Sequence, residues 1–284
     1  MKVRRLLMAL LFALIPGGFG HALDLSLGVT GWYTRWDPHF EDDMRGEDNP
    51  LQAAAPKVFG EAYNDSISFR PAFMAGPLAG ATIGKWTLGG VFLASTGFKG
   101  HSNYQVYYLP DPGVTYDTDF RFQLKRYDAD GTLEYRLNDR IGCFAGYKYS
   151  HYRGSGTYQY WASDSGSVIP VDVRRKGTMH GPGLGVEGTI PLGEAWHITA
   201  SLSFLVLKAR WVYESTNLSS GVYREKVLTP ALVGANATAG LGYYFRGIST
   251  TCVLGGRYQH LVSTDERGMR DRFYGVTLTA VYAL

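Results

Sequence analysis

The chain has 284 residues, and only 19% of them are charged, while Gly (36), Tyr (20) and Phe (14) are abundant. A soluble domain of ordinary composition carries about 25% charged residues. The formal charge of +3 comes without a basic cluster and excludes a nucleic-acid binder of the usual kind. No apolar run approaches the ~18 residues of a membrane-spanning helix, which leaves strands as the means of crossing a bilayer.

Residues 1–22 read as a signal peptide. Lys2, Arg4 and Arg5 precede an apolar run from Leu6 to Ile15, which Pro16, Gly17 and Gly18 end, and Gly20-His21-Ala22 offers a cleavage site. The mature part, 23–284, then opens with strict alternation. Leu23, Leu25, Leu27, Val29 and Tyr33 lie on one face, with Asp24, Ser26, Gly28, Thr30 and Thr34 on the other. The last segment mirrors it, with Tyr274, Val276, Leu278, Ala280, Tyr282 and Leu284 against Gly275, Thr277, Thr279, Val281 and Ala283. A period of two, apolar on one face and small or hydroxylic on the other, suits a strand between lipid and a polar interior.

Between these two, alternation predicts strands over 66–82, 86–98, 120–136, 141–152, 176–190, 196–212, 226–244 and 248–261. Short turns are expected at 83–85, 137–140, 191–194 and 245–247. Long polar loops are expected at 37–65, 100–118, 153–176, 214–225 and 262–271. The total is ten strands; eight or twelve follow if a loop or hairpin is read differently. This is an all-β chain, a transmembrane antiparallel up-and-down β-barrel, with short turns at the periplasmic rim and long loops outside. Trp86 and Trp196 then mark one aromatic belt, and Tyr33, Tyr147, Tyr149, Tyr213 and Tyr258 the other.

The same phase directs Arg70, Asp128, Asp130, Glu134, Arg136, Lys148, Glu187, Asn236, Arg257 and Gln259 inward, as candidate lumen-lining residues. A phase change near Lys125-Arg126, corrected by a bulge, would place Phe122 and Leu124 on the lipid side. Mixed charge admits two readings, a selective polar pore or a lattice of ion pairs filling a narrow barrel. Cys143 and Cys252 fall on the outer face of strands far apart, a geometry for unpaired thiols. The acidic first loop (Asp37, Glu41, Asp42, Asp43, Glu47, Asp48) lacks the spacing of a calcium loop. No Cys/His metal spacing, cofactor motif or nucleophile elbow occurs, so no catalytic, metal or cofactor site is expected. Gly181-Pro182-Gly183-Leu184-Gly185 lies inside a strand and reads as a bending or close-packing segment. Tyr158, Tyr160 and Trp161, in a Tyr-, Ser- and Gly-rich loop, are candidate surface-recognition residues.

The aromatic at Tyr282 and the apolar terminus at Leu284 resemble the C-terminal signature of bacterial outer-membrane proteins, with Leu in place of the usual Phe. Over the whole mature chain the strand–turn rhythm resembles the small ten-stranded outer-membrane barrels. In length and layout the chain is similar to the omptin proteases, whose site needs an Asp-x-Asp pair facing an Asp-x-His pair. Asp117-Thr118-Asp119 fits the first, but loop 214–225 holds no Asp-x-His, and Asp37-Pro38-His39 sits in another loop. The resemblance implies a monomeric barrel in the outer membrane, in contact with its lipid. Three functions follow in order: a narrow pore or uptake protein for small solutes, a surface adhesion or recognition barrel with a plugged lumen and an extracellular ligand, and a surface hydrolase.

Overall fold

The computed structural model describes residues 23–38, 68–107, 115–162, 168–265 and 269–284. Thirteen β segments follow in chain order: β1 (Leu23–Asp37), β2 (Ser68–Phe69), β3 (Ala72–Ile83), β4 (Trp86–Ser95), β5 (Phe98–Tyr107), β6 (Thr115–Arg136), β7 (Ile141–Ala162), β8 (Val168–Pro191), β9 (Trp196–Asn217), β10 (Tyr223–Leu228), β11 (Ala231–Phe245), β12 (Thr250–Ser263) and β13 (Arg270–Ala283). Three pairs of segments are single barrel strands with a local break. Pro71 and Pro230 lack the N–H a ladder needs, and they part β2 from β3 and β10 from β11. Gly97, at φ +122°, parts β4 from β5. The register continues across the proline breaks, with Met74↔Ser95 leading to Phe69↔Gly100 and Ala231↔Lys208 to Leu228↔Trp211. The result is ten antiparallel barrel strands, closed where β1 pairs with β13 from Ser26↔Ala283 to Asp37↔Arg272.

Closure fixes the stagger. Following paired residues once round from Leu25, through Ala81, Leu88, Leu133, Ala145, Leu184, Phe204, Ala235, His260 and Arg272, returns to β1 at Asp37, twelve residues along. With the standard strand rise and spacing, that stagger tilts the strands by about 40°, so each residue climbs about 2.5 Å along the barrel axis. The short turns stand where the sequence predicts them. Gly84 takes φ +59° between Ile83 and Trp86, and the Asn138 carboxamide oxygen accepts from the Arg140 and Ile141 amides at 2.9 Å each.

The outer wall exposes Leu25, Val29, Leu184, Leu202, Leu254 and Leu278, the apolar band that a bilayer covers. Trp86 against Tyr135 (4.7 Å between ring centroids) and Trp196 against Tyr243 (4.8 Å) edge it at the short-turn rim. Tyr33, Tyr149, Tyr258 and Tyr274 edge it towards the other rim. Cys143 and Cys252 are free thiols on β7 and β12.

Three expectations change. The strands run further at the long-loop rim than the sequence suggests. Most of 153–176 is β7 and β8, paired from Arg153↔Lys176 to Trp161↔Val168, because the backbone keeps its ladder in water as readily as in lipid. Tyr158, Tyr160 and Trp161 therefore lie on β7 and not in a loop. Strand β6 has no phase change at Lys125-Arg126, for its pairing with β7 is unbroken from Tyr116↔Ala162 to Arg136↔Gly142. Phe122 and Leu124 share the inward face with Asp128 and are buried. The bulge is on the neighbouring strand, where Ala94↔Tyr127 gives way to Phe98↔Leu124, four residues against three. Tyr213 leaves the predicted belt as well. It is buried, with the Arg175 guanidinium 4.3 Å from its ring. The signal-peptide segment 1–22 and the acidic stretch 39–48 lie outside the described residues.

Candidate functional site

The interior is built in three layers. Nearest the short-turn rim is a vestibule of about 300 Å³, whose wall includes Thr30, Thr199, Thr238, Thr277 and Thr279 beside Trp32. Hydroxyl pairs knit it: Thr30 Oγ1 lies 2.8 Å from Thr279 Oγ1, and Ser201 Oγ 2.7 Å from Thr238 Oγ1. The Trp32 indole N–H donates to Thr30 at 3.2 Å.

A charged layer caps the vestibule. Arg257 packs its guanidinium 4.3 Å from the Trp32 ring, donates to Asn236 at 2.6 Å and stands 3.6 Å from Asp130. Lys148 bridges Asp130 (3.0 Å) and Asp128 (3.7 Å). Arg126 pairs with Asp128 at 3.0 Å and with Asp271 at 3.7 Å, while the Trp36 indole donates to Asp271 at 3.0 Å. Three cations thus face three carboxylates, and this layer carries no excess of either sign. The Arg126 guanidinium, 0% exposed, also lies 4.6 Å from the Phe273 ring and 4.9 Å from the Trp36 ring. A buried charge is tolerated only when it is paired in this way.

Above the charges sits an apolar cluster. Trp36 meets Phe98 and Tyr152 edge-on, each at 5.3 Å between centroids. Phe69, Phe122, Leu124, Trp211, Leu232 and Leu261 are buried in the same cluster. Side chains from nearly every barrel strand meet here, which a ten-stranded barrel is narrow enough to allow.

The predicted inward residues divide. Asp128, Asp130, Lys148, Asn236 and Arg257 are the charged layer itself, and Gln259 is buried on β12 beside it. Glu134 and Glu187 face each other across Gly142 near the short-turn rim, where Arg136 is exposed. Arg70 does not join them, because the break at Pro71 turns it outward, into an open groove with Lys99 and Arg121. Sequence reasoning missed Arg126, Asp271, Trp36 and Trp32. Arg126 was legible from parity, since it is two residues from Asp128. Asp271 and Trp36 were hidden because they stand beyond the predicted strand ends.

Among the described residues no hydrolase constellation forms around Asp119. Its carboxylate is held by His101 (3.0 Å) and Arg121 (2.9 Å) on the outer face of β5 and β6. His39 lies outside the described residues. Among the described residues no group of three or more His, Cys, Asp or Glu side chains could hold a metal ion.

No family model matches the chain, and no curated protein matches it in sequence. Among solved structures, the outer membrane protease OmpT of Escherichia coli is similar, with a TM-score of 0.58 at 15% identity over 94% of this chain and 99% of that one. The toluene transporter TodX of Pseudomonas putida matches with a TM-score of 0.33 at 10% identity, over 96% of this chain and 90% of that one. The likeness to OmpT is one of fold. The chain has the fold of the bacterial outer-membrane β-barrels.

Proposed function

We propose that the protein is an outer-membrane barrel with a plugged lumen, acting at the cell surface as a recognition scaffold. The closed interior carries this reading. A solute entering the vestibule meets Arg257, Lys148, Asp128 and Arg126, and behind them the packed rings of Trp36, Phe98 and Tyr152. The narrow-pore reading requires a path through all of these. What the fold presents to the outside is the ribbon of β6, β7, β8 and β9, which climbs beyond the aromatic girdle and displays Arg121, Gln123, Arg153, Ser155 and Arg174.

Single-channel conductance of the refolded chain in a planar bilayer tests the closure. A silent barrel is expected. Steady openings that change when Arg257 or Glu134 is neutralised would overturn the reading in favour of a pore. Recognition is tested by attachment of bacteria displaying the chain to protein- and glycan-coated surfaces. Removing residues 156–172 should abolish attachment and leave the barrel folded; equal attachment would refute the scaffold role.

A further inference from the structure

The inward face changes character at the charged layer. Above it Leu93, Leu205, Leu232 and Phe273 are fully buried, whereas below it Leu78, Val91, Thr238 and Thr277 are only half-buried. Solvent therefore reaches the vestibule of about 300 Å³ from the short-turn rim and stops at the layer. The vestibule has two unlike sides. Leu78 on β3 and Val91 on β4 form an apolar wall, and the arc from β13 round to β9 carries hydroxyls. Across that arc one row in register reads Thr199↔Gly240↔Gly255↔Thr277↔Trp32. Gly240 and Gly255 leave the wall bare between two threonines, so a small molecule can lie close to the backbone there.

The layer's charge is divided by depth. Arg126 lies with Asp128 and Asp271, two carboxylates against one cation, and all three are buried. Arg257 and Lys148 lie with Asp130, two cations against one carboxylate, on the side facing the vestibule. The contact of Lys148 with Asp128 at 3.7 Å ties the two halves together. The vestibule floor is thus cationic, although the layer as a whole is balanced. Arg257 lines both the vestibule and an adjoining recess of about 70 Å³, shared with Asn236 and Ser203. Its side chain is only 10% exposed. Nε donates to Asn236 at 2.6 Å, and Nη2 stands 3.6 Å from Asp130, longer than a hydrogen bond. The forked end of the guanidinium therefore keeps donors for an acceptor arriving from the vestibule. Nearer the rim Glu134 and Glu187 face each other across Gly142, with Arg136 exposed beside them. Two acids on the approach disfavour a multiply charged anion, so a single negative charge suits the floor best.

From this arrangement we infer that the vestibule is a binding site, entered from the short-turn rim, for a small polyhydroxylated monocarboxylate, a molecule of sugar-acid chemistry. The carboxylate docks on the Arg257 fork at the floor. The ligand's hydroxyls exchange hydrogen bonds with the threonines, each of which both donates and accepts. Pairs already formed, such as Thr30 with Thr279 at 2.8 Å, leave lone pairs for a further donor. The ligand's C–H face rests against Leu78 and Val91. A cavity of about 300 Å³ stands at the small end of ligand pockets and suits a molecule of this size. The site goes beyond the surface role proposed above and does not depend on it.

The test is calorimetric titration of the refolded full chain in detergent with three probes of equal carbon number. Gluconate has the carboxylate and the hydroxyls, hexanoate the carboxylate alone, and sorbitol the hydroxyls alone. Gluconate should bind at a single site, at least about tenfold more tightly than either of the others. R257Q should erase the preference over sorbitol, and T199V/T277V the preference over hexanoate, while R121Q on the outer face changes neither. Heat-modifiable migration in gels reports that each barrel is folded. If R257Q does not fold, T199V/T277V leaves the charged layer intact and decides alone. No binding of gluconate, equal binding of the three probes, or an unaltered preference in a folded lumen variant would overturn the inference. Conductance and surface attachment are measured separately, so failure here is distinct from failure of the plugged-barrel reading.

Discussion

Strand β9 passes through two solvents with one alternation. In the band, Leu202 and Phe204 point outward and are exposed to lipid, while Ser201 and Ser203 point inward. Beyond the girdle, Lys208 and Arg210 take the outward positions, and Leu207, Ala209 and Trp211 are buried inside. No residue is inserted between the two regions, as the register with β11 runs unbroken from Tyr243↔Trp196 to Ala231↔Lys208. The face is constant and its polarity inverts. In the bilayer the apolar medium is outside and the barrel fills with hydroxyls and charge. Above the bilayer water is outside, so the barrel builds an ordinary hydrophobic core. The apolar cluster is that core, and on the plugged-barrel reading proposed above it is what closes the tube.

The largest expected effect lies where the two regimes meet. Arg126→Met leaves Asp128 and Asp271 buried without their guanidinium, and should cost about 3–5 kcal/mol, read as a shift in the urea unfolding midpoint of the refolded barrel. R126M/D128L, which removes one charge of each sign, should recover part of the loss. If the single and double variants unfold alike and close to wild type, water reaches this layer and the boundary is not sealed.

Next comes the outer wall. Leu202→Arg puts a cation near the middle of the apolar band and should cost about 2–4 kcal/mol. Gln123→Arg is on the same face but beyond the girdle, and should stay within about 0.5 kcal/mol of wild type. Equal costs, measured by the same urea titration in lipid, would abolish the distinction between the two solvents. A smaller effect is expected inside the vestibule. Thr30→Val removes the 2.8 Å bond to Thr279 and the acceptor of the Trp32 indole, worth about 1 kcal/mol. No loss at all would indicate that water in the vestibule replaces the hydroxyl.

This inversion also decides what the sequence could reveal. Inside the bilayer, neighbours on one strand are sorted by two different media, so a period of two with Leu202, Phe204 against Ser201, Ser203 is legible residue by residue. The ten strands, the short turns and the inward positions of Asp128, Asp130, Lys148, Asn236, Arg257 and Gln259 follow from it. Beyond the girdle the rule reads backwards. Phe122 and Leu124, treated as lipid-facing, implied a shift of phase that the chain does not make. Polar outward positions such as Ser155 and Thr157 made a paired ribbon resemble a loop. The break at Pro71, which turns Arg70 outward, depends on how β2 and β3 share one neighbouring strand, and that is a tertiary fact. The meeting of Arg126 with Asp271 is likewise a product of closure, since β6 and β13 come together only across the lumen.

The weakest link predicted is on the ribbon's wet face. The Lys176 ammonium donates to Glu214 at 2.8 Å, and that hydrogen bond, with the carboxylate's charge, raises the lysine above its ordinary value. A raised value means that the stabilisation is fully present below the ordinary lysine range and is lost only as pH climbs through the raised one. Lys176→Met should therefore leave the unfolding midpoint unchanged within error at neutral pH, because an exposed pair is screened by water and salt. Any difference from wild type should be flat with pH until strongly alkaline conditions, and should then vanish. Urea titrations across that range at low and high salt check both statements. A large, salt-insensitive loss at neutral pH would show that β8 and β9 are as tightly sequestered at Lys176 as the apolar cluster is at Arg126, and the contrast between a wet outer face and a dry inner one would not extend to the upper ribbon.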